Sequence, residues 1–401
     1  MYAYMAILGV FVFVYSVLAG RIESTPISGP IIYTIFGLGL SIFATDLEPL
    51  APTGETIKTL AELSLALVLF TDAATADLAV LRRSFRIPQR LLLYGLPLTI
   101  LLGFLAAIPL FPGLGFLEAA ILATMLAPTD AALGKAVVTN DDVPDTIRDG
   151  LNLESGLNDG ICVPILFVFL AMIADEQARN SVFGLALQLV LEEIGIGVAV
   201  GVGLAVLSSH IIRYCSKHGF ITETWRQLPV VALSISCFAL AQLFGGSGFI
   251  AAFVGGLVFG GVTKEHKHHL LLAAEGSGDT MALITWVFFG YAIIGHDGLS
   301  FTWPMFVYAI LSLTVIRMAP VFLVLSGLNL SPHAKLFMGW FGPRGLASVV
   351  FAVLILDGKL PHGQTIVLTA ILTICLSILT HGLTAVPLSR AFGREGDSAS
   401  G

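Results

Sequence analysis

The stretch NLESGLNDGICVP, Asn152 to Pro164, places Ser155 and Asp159 four residues apart, and so on one face of a helix. Upstream, LAPTDAALG offers Thr129 and Asp130 directly after Pro128. With main-chain carbonyls freed by the proline, Asp159, Asp130, Thr129 and Ser155 make an all-oxygen donor set. Hard cations select such ligands, and without Cys or His the set does not suit a transition metal. A desolvated carboxylate takes up either a proton or a monovalent cation near neutral pH. A single site holding one or the other, never both, would couple the movement of the two ions. The expected metal ligands are therefore Asp159, Asp130, Ser155 and Thr129, with a monovalent cation as cargo and no cofactor.

Glu154 and Asn158 share a second face of the same helix, about 100° from the first. A charge near a bilayer centre costs about 2.5–3.5 kcal/mol even on the lenient insertion scale, so Glu154 requires a partner. Arg317, in SLTVIRMAP, is the expected one, with Asn158 hydrogen-bonding alongside. Glu154, Arg317 and Asn158 thus read as a structural clamp beside the ion ligands, and Arg344 is expected in the same structural ion-pair group near the site.

These residues sit in a chain that is 56% hydrophobic and 12% charged over 401 residues, with a mean hydropathy of +0.91. A soluble chain is about one quarter charged, so the expected fold is an all-α polytopic membrane protein. Gly, Pro and charge clusters divide it into thirteen spans, at 3–20, 27–44, 57–76, 90–111, 117–138, 150–174, 183–212, 228–244, 247–263, 279–296, 302–326, 334–357 and 363–389. The first follows no basic segment and precedes no small-residue cleavage site, so it reads as a retained helix rather than a signal peptide. Loop cations fall mostly on one side: Arg21, Arg82, Arg83, Arg86, Arg90, Lys135, Arg148, Arg213, Lys217, Arg226, Lys264, Lys267, Lys335, Arg390 and Arg394. Lys58, Arg179 and Lys359 fall on the other. The positive-inside rule then puts the N-terminus outside and the C-terminus in the cytoplasm, in a cell (inner) membrane. Cys162, Cys215, Cys237 and Cys375 lie in or beside apolar segments at no metal-like spacing and read as small buried hydrophobes.

Thirteen spans divide as six, one and six. Residues 1–182 form a first repeat, 183–227 a linker helix and loop, 228–389 a second repeat of inverted topology, and 390–401 a short disordered cytoplasmic tail. Prolines interrupt the fifth span of each half: Pro128 in LAPTDAALG and Pro343 in FGPRGLAS. Each removes a donor and drives the preceding residue out of helix, leaving open backbone followed by Asp130 or Arg344. Such backbone is tolerated at membrane depth only where protein buries it or a wet cavity meets it. Matched breaks in two halves point to crossed broken helices around a binding site. Asp130 is placed to offset positive helix N-termini and Arg344 negative C-termini.

LNLESGLNDG after an APTD helix, with GPRGLAS near the end, resembles the NhaP-type sodium/proton antiporters of the monovalent cation/proton antiporter superfamily. The likeness runs from LVLFTDA in the third span to the last helix. It implies a core domain with two crossed broken helices, a separate dimerisation domain and hence a homodimer, and elevator-like alternating access serving pH homeostasis. Carried over by motif, Asp159 and Asp130 are the ion-binding carboxylates and Thr129 and Ser155 added ligands. Asn158 before Asp159 is similar to the branch that exchanges one cation for one proton. The large cytoplasmic regulatory domain of many eukaryotic relatives has no counterpart in these residues.

Asp72, in LFTDAATADL, is a candidate gate or outer ligand, whereas Asp77 belongs at the cytoplasmic interface. TKEHKHHL, with His266, His268 and His269, reads as a solvated basic loop. The glycine runs Gly195–Gly203 and Gly255–Gly261 suit close helix packing. A sodium-coupled organic-anion symporter would want a larger polar cavity. An intramembrane enzyme would want a nucleophile with a base, or clustered histidines, yet His210, His296 and His381 are scattered at or near span ends. A channel fits isolated acidic residues between broken helices less well than occluded exchange. Nothing suggests nucleic acid; the expected partners are monovalent cations, protons and the lipid bilayer.

Overall fold

The structure is a computed structural model that describes residues 2–23, 25, 27–43, 54–76, 86–138, 140, 142–177, 183–222, 225, 227–263, 267–294, 299–358 and 360–399. Asp77, Arg82, Arg83, Arg179, Arg226, Lys264, His266, His296 and Lys359, which entered the sequence reading, lie outside them. Among the described residues all regular structure is helical. The helices are α1 Tyr2–Glu23, α2 Gly29–Phe43, α3 Gly54–Thr75, α4 Arg86–Leu110, α5a Phe116–Met125, α5b Ala131–Val138, α6 Asp145–Gln177 and α7 Phe183–Lys217. They continue with α8 Leu228–Leu243, α9 Gly248–Val262, α10 Lys267–Phe288, α11a Trp303–Leu313, α11b Val315–Val324, α12a Pro332–Trp340, α12b Leu346–Asp357 and α13 Gly363–Ala399.

Each expected span falls on one of these helices or on a pair. Apolar side chains stay exposed along α1, with Phe13 and Val17 each 68% accessible, as suits a helix whose solvent is hydrocarbon. Wide π turns occupy Leu91–Gly95 within α4 and Phe289–Ile294 after α10. In α4 the Leu96 amide reaches back to the Leu91 carbonyl just ahead of Pro97, so the wide turn accommodates a residue with no amide donor.

Both expected breaks are present, at Leu126–Asp130 and Phe341–Gly345. Three expectations need correction. The span at 302–326 is itself divided at Thr314, whose φ of −114° and ψ of −95° interrupt the helix. Lys267, His268 and His269 belong to the first turn of α10 instead of a loop. The disordered tail is replaced by helix: α13 runs on to Ala399. Cys162 and Cys237 are buried as expected, whereas Cys215 and Cys375 are partly exposed.

The chain forms two compact units. The first comprises Met1–Leu60, Arg86–Ser155 and Leu283–Gly401. In it, Val137 of α5b, Ile147 and Leu151 of α6, Val321 of α11b and Phe337 and Met338 of α12a share one apolar cluster. That cluster fixes the start of α6 against both broken helices. The second unit comprises Ala61–Phe85 and Gly156–Ala282. Here the glycine runs do pack closely. A Cβ on Gly201 would stand 2.5 Å from the Ala251 carbonyl oxygen, and one on Gly256 2.3 Å from that of Phe70, whereas one on Gly195 meets nothing within 4 Å.

Gly256→Val is therefore expected to force α3 and α9 apart and lower the melting temperature in detergent by many degrees. Gly195→Ala, relieved of glycine's helix penalty of about 0.5–1 kcal/mol, should melt at or slightly above wild type. Equal melting of the two variants would contradict the packing described.

A candidate ion site at two broken helices

Pro128 and Pro343 open the backbone of α5 and α12 at points that meet within the first unit. The Asp130 amide donates to the Pro343 carbonyl at 2.8 Å. The Asp130 carboxylate then serves two helices. Its Oδ1 accepts from the Leu133 amide at 2.9 Å, three residues into α5b, and its Oδ2 from the Leu346 amide at 2.7 Å, the first residue of α12b. An aspartate is a favoured N-cap because its oxygen satisfies an orphan amide, and its charge opposes the positive end of the helix dipole. Here one side chain does both for two half-helices. The approach is so close that a Cβ on Gly345 would lie 1.8 Å from Asp130 Oδ2, which explains the glycine after Arg344.

Arg344, fully buried, performs the complementary task at the C-terminal ends. Its Nη1 donates to the carbonyls of Ala127 and Pro128 at 2.5 and 3.1 Å, and its Nη2 to that of Ser312 at 3.2 Å. The Ser348 hydroxyl donates to the Met125 carbonyl at 2.7 Å. The carbonyls left open beyond α5a, and one exposed by the break at Thr314, are thus bonded from α12. Three of the bonds that position Arg344 go to main-chain carbonyls.

Thr129 and Ser155 are brought together. The Ser155 hydroxyl donates to the Thr129 carbonyl at 2.6 Å, and the two hydroxyl oxygens are 3.2 Å apart. Since the Ser155 proton is committed to the carbonyl, the Thr129 hydroxyl is the donor between them. Both hydroxyl oxygens are thereby oriented. Asp130, Thr129 and Ser155, three of the four expected ligands, are buried. Asp159, the fourth, is buried one turn after Ser155 on α6 and lies in the second unit. Asp72 lies on α3 against α6, where a Cβ on Gly156 would meet the Asp72 Cβ at 3.3 Å.

The expected Glu154–Arg317 pair is present and bidentate, at 2.5 and 2.7 Å, with both side chains almost wholly buried. A Cβ on Gly342 would stand 2.4 Å from Arg317 Nε, so the first glycine of GPRG makes room for this arginine and the second for Asp130. Asn158 is completely buried one turn after Glu154.

Sequence reasoning missed the supports from α13. The Arg344 amide donates to Ser377 Oγ at 2.7 Å. His381 Nδ1 lies 3.1 Å from that oxygen, and His381 Nε2 lies 2.9 Å from the Trp340 carbonyl. His381 is therefore buried inside α13, not at a span end as expected. Ser377 and His381 are polar residues four apart in an apolar run, a signal present in the sequence. A second missed contact joins the start of α5a to the turn just before α13. The Glu118 carboxylate accepts from the Gly115 amide, the His362 amide and the His362 ring, each at 2.9 Å.

Removing one member of a buried pair costs about 3–5 kcal/mol because a charge is stranded. Arg317→Ala should therefore be strongly destabilised in detergent melting, and Glu154→Gln combined with Arg317→Ala should recover part of the loss. Simple addition of the two losses would show that the pair contributes nothing as a unit.

Comparison with known proteins agrees with this geometry. Residues 7–391 match the family described as sodium/hydrogen exchanger, transmembrane. A Na(+)/H(+) antiporter of Schizosaccharomyces pombe is 28% identical over 265 residues, covering 62% of this chain and 56% of that protein. A K(+)/H(+) antiporter, NhaP2, of a Shewanella species is 23% identical over 336 residues, covering 84% and 58%. The chain thus spans little more than half the length of these relatives. Among solved structures, the sodium proton antiporter MjNhaP1 of Methanocaldococcus jannaschii has the same fold, with a TM-score of 0.77, 21% identity, and coverage of 98% of this chain and 100% of that one. A match over almost the whole chain, around breaks capped by Asp130 and Arg344, places this protein in the sodium/hydrogen exchanger family.

Proposed function

We propose that this chain is a secondary antiporter that exchanges a monovalent cation, Na+ or Li+, for a proton by alternating access. The observation that carries the reading is the break at Leu126–Asp130, where Asp130 and the Thr129–Ser155 pair set buried oxygens beside the helix that bears Asp159 one turn further on. Asp159 is the group that holds a proton or a cation, and Asp130, Thr129 and Ser155 complete an oxygen shell suited to a hard ion. Asp72 is a gate or outer ligand. Glu154 and Arg317 form the clamp, with Asn158 on the same face of α6.

In this mechanism each ion neutralises the same negative charge, so the carrier crosses in the same net state with either. Exchange is then one for one and indifferent to membrane potential. Burial of the capped breaks protects their main-chain bonds from water. The proposal includes a homodimer in a cell membrane, two inverted six-span repeats, an external N-terminus and a cytoplasmic C-terminus. The Shewanella relative is named a K(+)/H(+) antiporter, so K+ belongs among the cations tested.

In proteoliposomes with an imposed pH gradient, Na+ or Li+ is expected to dissipate the gradient. Asp159→Asn, which removes charge and keeps volume, should fold and abolish that flux. Wild-type-like flux in Asp159→Asn would remove Asp159 from the site. A potassium–valinomycin potential should leave wild-type flux unchanged; a flux that rises with potential contradicts one-for-one exchange. Asn158→Asp, on the Glu154 face, should weaken the clamp without making transport voltage-driven, and a voltage-driven Asn158→Asp would contradict that placement.

A further inference from the structure

Between α5b and the start of α6 lies a narrow cavity with room for about one water molecule. Asp130, Ser155 and Pro343 line it where the two breaks meet, and Val137 and Phe341 are among its apolar walls. Its polar side chains are Asp130, Ser155 and Asn152. Asp130 and Ser155 are buried, whereas Asn152 is exposed. On α6, Asn152 precedes Ser155 by three residues and Asp159 by seven. Two turns of helix bring positions seven apart to within about 20° of one another and separate them by about 10 Å. Asp149, also exposed, stands one turn before Asn152.

We propose that Asn152 is an entry ligand: its amide oxygen is the first protein group to replace a water of the incoming cation, and so it sets cation affinity from the side of the cavity mouth. The physical reason lies in the choice of group. A cation passing apolar walls loses water before it reaches the buried oxygens, and a neutral amide oxygen offsets that loss as a hard ligand. It does so without adding a titratable group, so protons do not compete for it. A carboxylate here would bind the cation more tightly and take part in the proton competition as well. Farther out on α6, Asp145 is paired with Arg148, and the exposed Asp149 raises the local cation concentration only weakly, because exposed charges are screened.

This inference rests on the antiporter reading and assigns a specificity-determining role within it. It is tested by cation-dependent proton flux in everted and right-side-out vesicles with Na+ and Li+. Asn152→Leu should raise KM about tenfold, the effect of losing one ligand contact, in the vesicle orientation that presents the N-terminal end of α6 to the added cation. Its kcat should stay within about twofold of wild type, and KM measured from the opposite side should be unchanged. Asn152→Gln, which keeps an amide oxygen, should recover much of the affinity, and Asn152→Asp should lower KM at high pH and steepen its rise as pH falls. If the leucine variant does not fold, Asn152→Ala gives the same comparison. An unchanged KM in the folded variant, a fall in kcat alone, or an equal rise in KM from both sides would overturn the assignment. Asp159→Asn is the control that separates the two readings. If it still exchanges, the ion-site reading fails; if it is inactive while Asn152→Leu keeps its KM, only the role of Asn152 fails.

Discussion

Two interrupted helices in a membrane leave amides and carbonyls that water cannot reach, and each such group costs several kcal/mol unless protein bonds it. Here the amides at the starts of α5b and α12b converge on the Asp130 carboxylate, and carbonyls beyond α5a converge on Arg344. The arrangement is reciprocal. Asp130 belongs to the first break and caps the helix after the second, while Arg344 belongs to the second and bonds carbonyls of the first. Neither break is satisfied without the other, so the two form one structural unit whose residues must be buried together. The glycines of GPRG follow from this demand: Gly342 leaves space for Arg317, and Gly345 for Asp130.

This constraint also shapes what the site can do. With its charge set against two helix N-termini, Asp130 anchors both half-helices. Thr129 is held through its carbonyl and hydroxyl by Ser155, which ties the first break to α6. The same helix carries Glu154, locked to Arg317, so α6 is held by an ion pair on one face and by hydroxyl bonds on another. The carboxylate of Asp159 is carried further along the same helix. In the proposed exchange the rigid framework moves as a body and the titrating group changes only its occupant.

Much of this was legible in sequence because the signals were chemically forced. Pro164 and Pro387 sit inside continuous helices, so it was the matched placement of Pro128 and Pro343, each followed by a charge, that announced the breaks. A charged residue in an apolar span needs a partner, so Glu154 predicted Arg317 across 163 positions. The break at Thr314 carried no such mark. Its residue is neither proline nor glycine, and the carbonyl it exposes, at Ser312, is bonded by Arg344 from another helix. Composition likewise misjudged the tail and the histidine tract. GREGDSA and KHH are polar, yet they extend helices whose apolar parts are already ordered. The roles of Ser377 and His381 emerge only where α13 packs beside the second break, although their four-residue spacing in an apolar run was visible.

The central claim is that one carboxylate, Asp159, holds either a proton or a cation and not both. The most direct measurement is the number of protons released per Na+ bound by the purified protein in weakly buffered solution, with the pH set where the empty site is protonated. The account predicts release approaching one proton per Na+, saturating with the binding curve and absent in Asp159→Asn. Saturable Na+ binding with no proton release, or release that persists in Asp159→Asn, would contradict it.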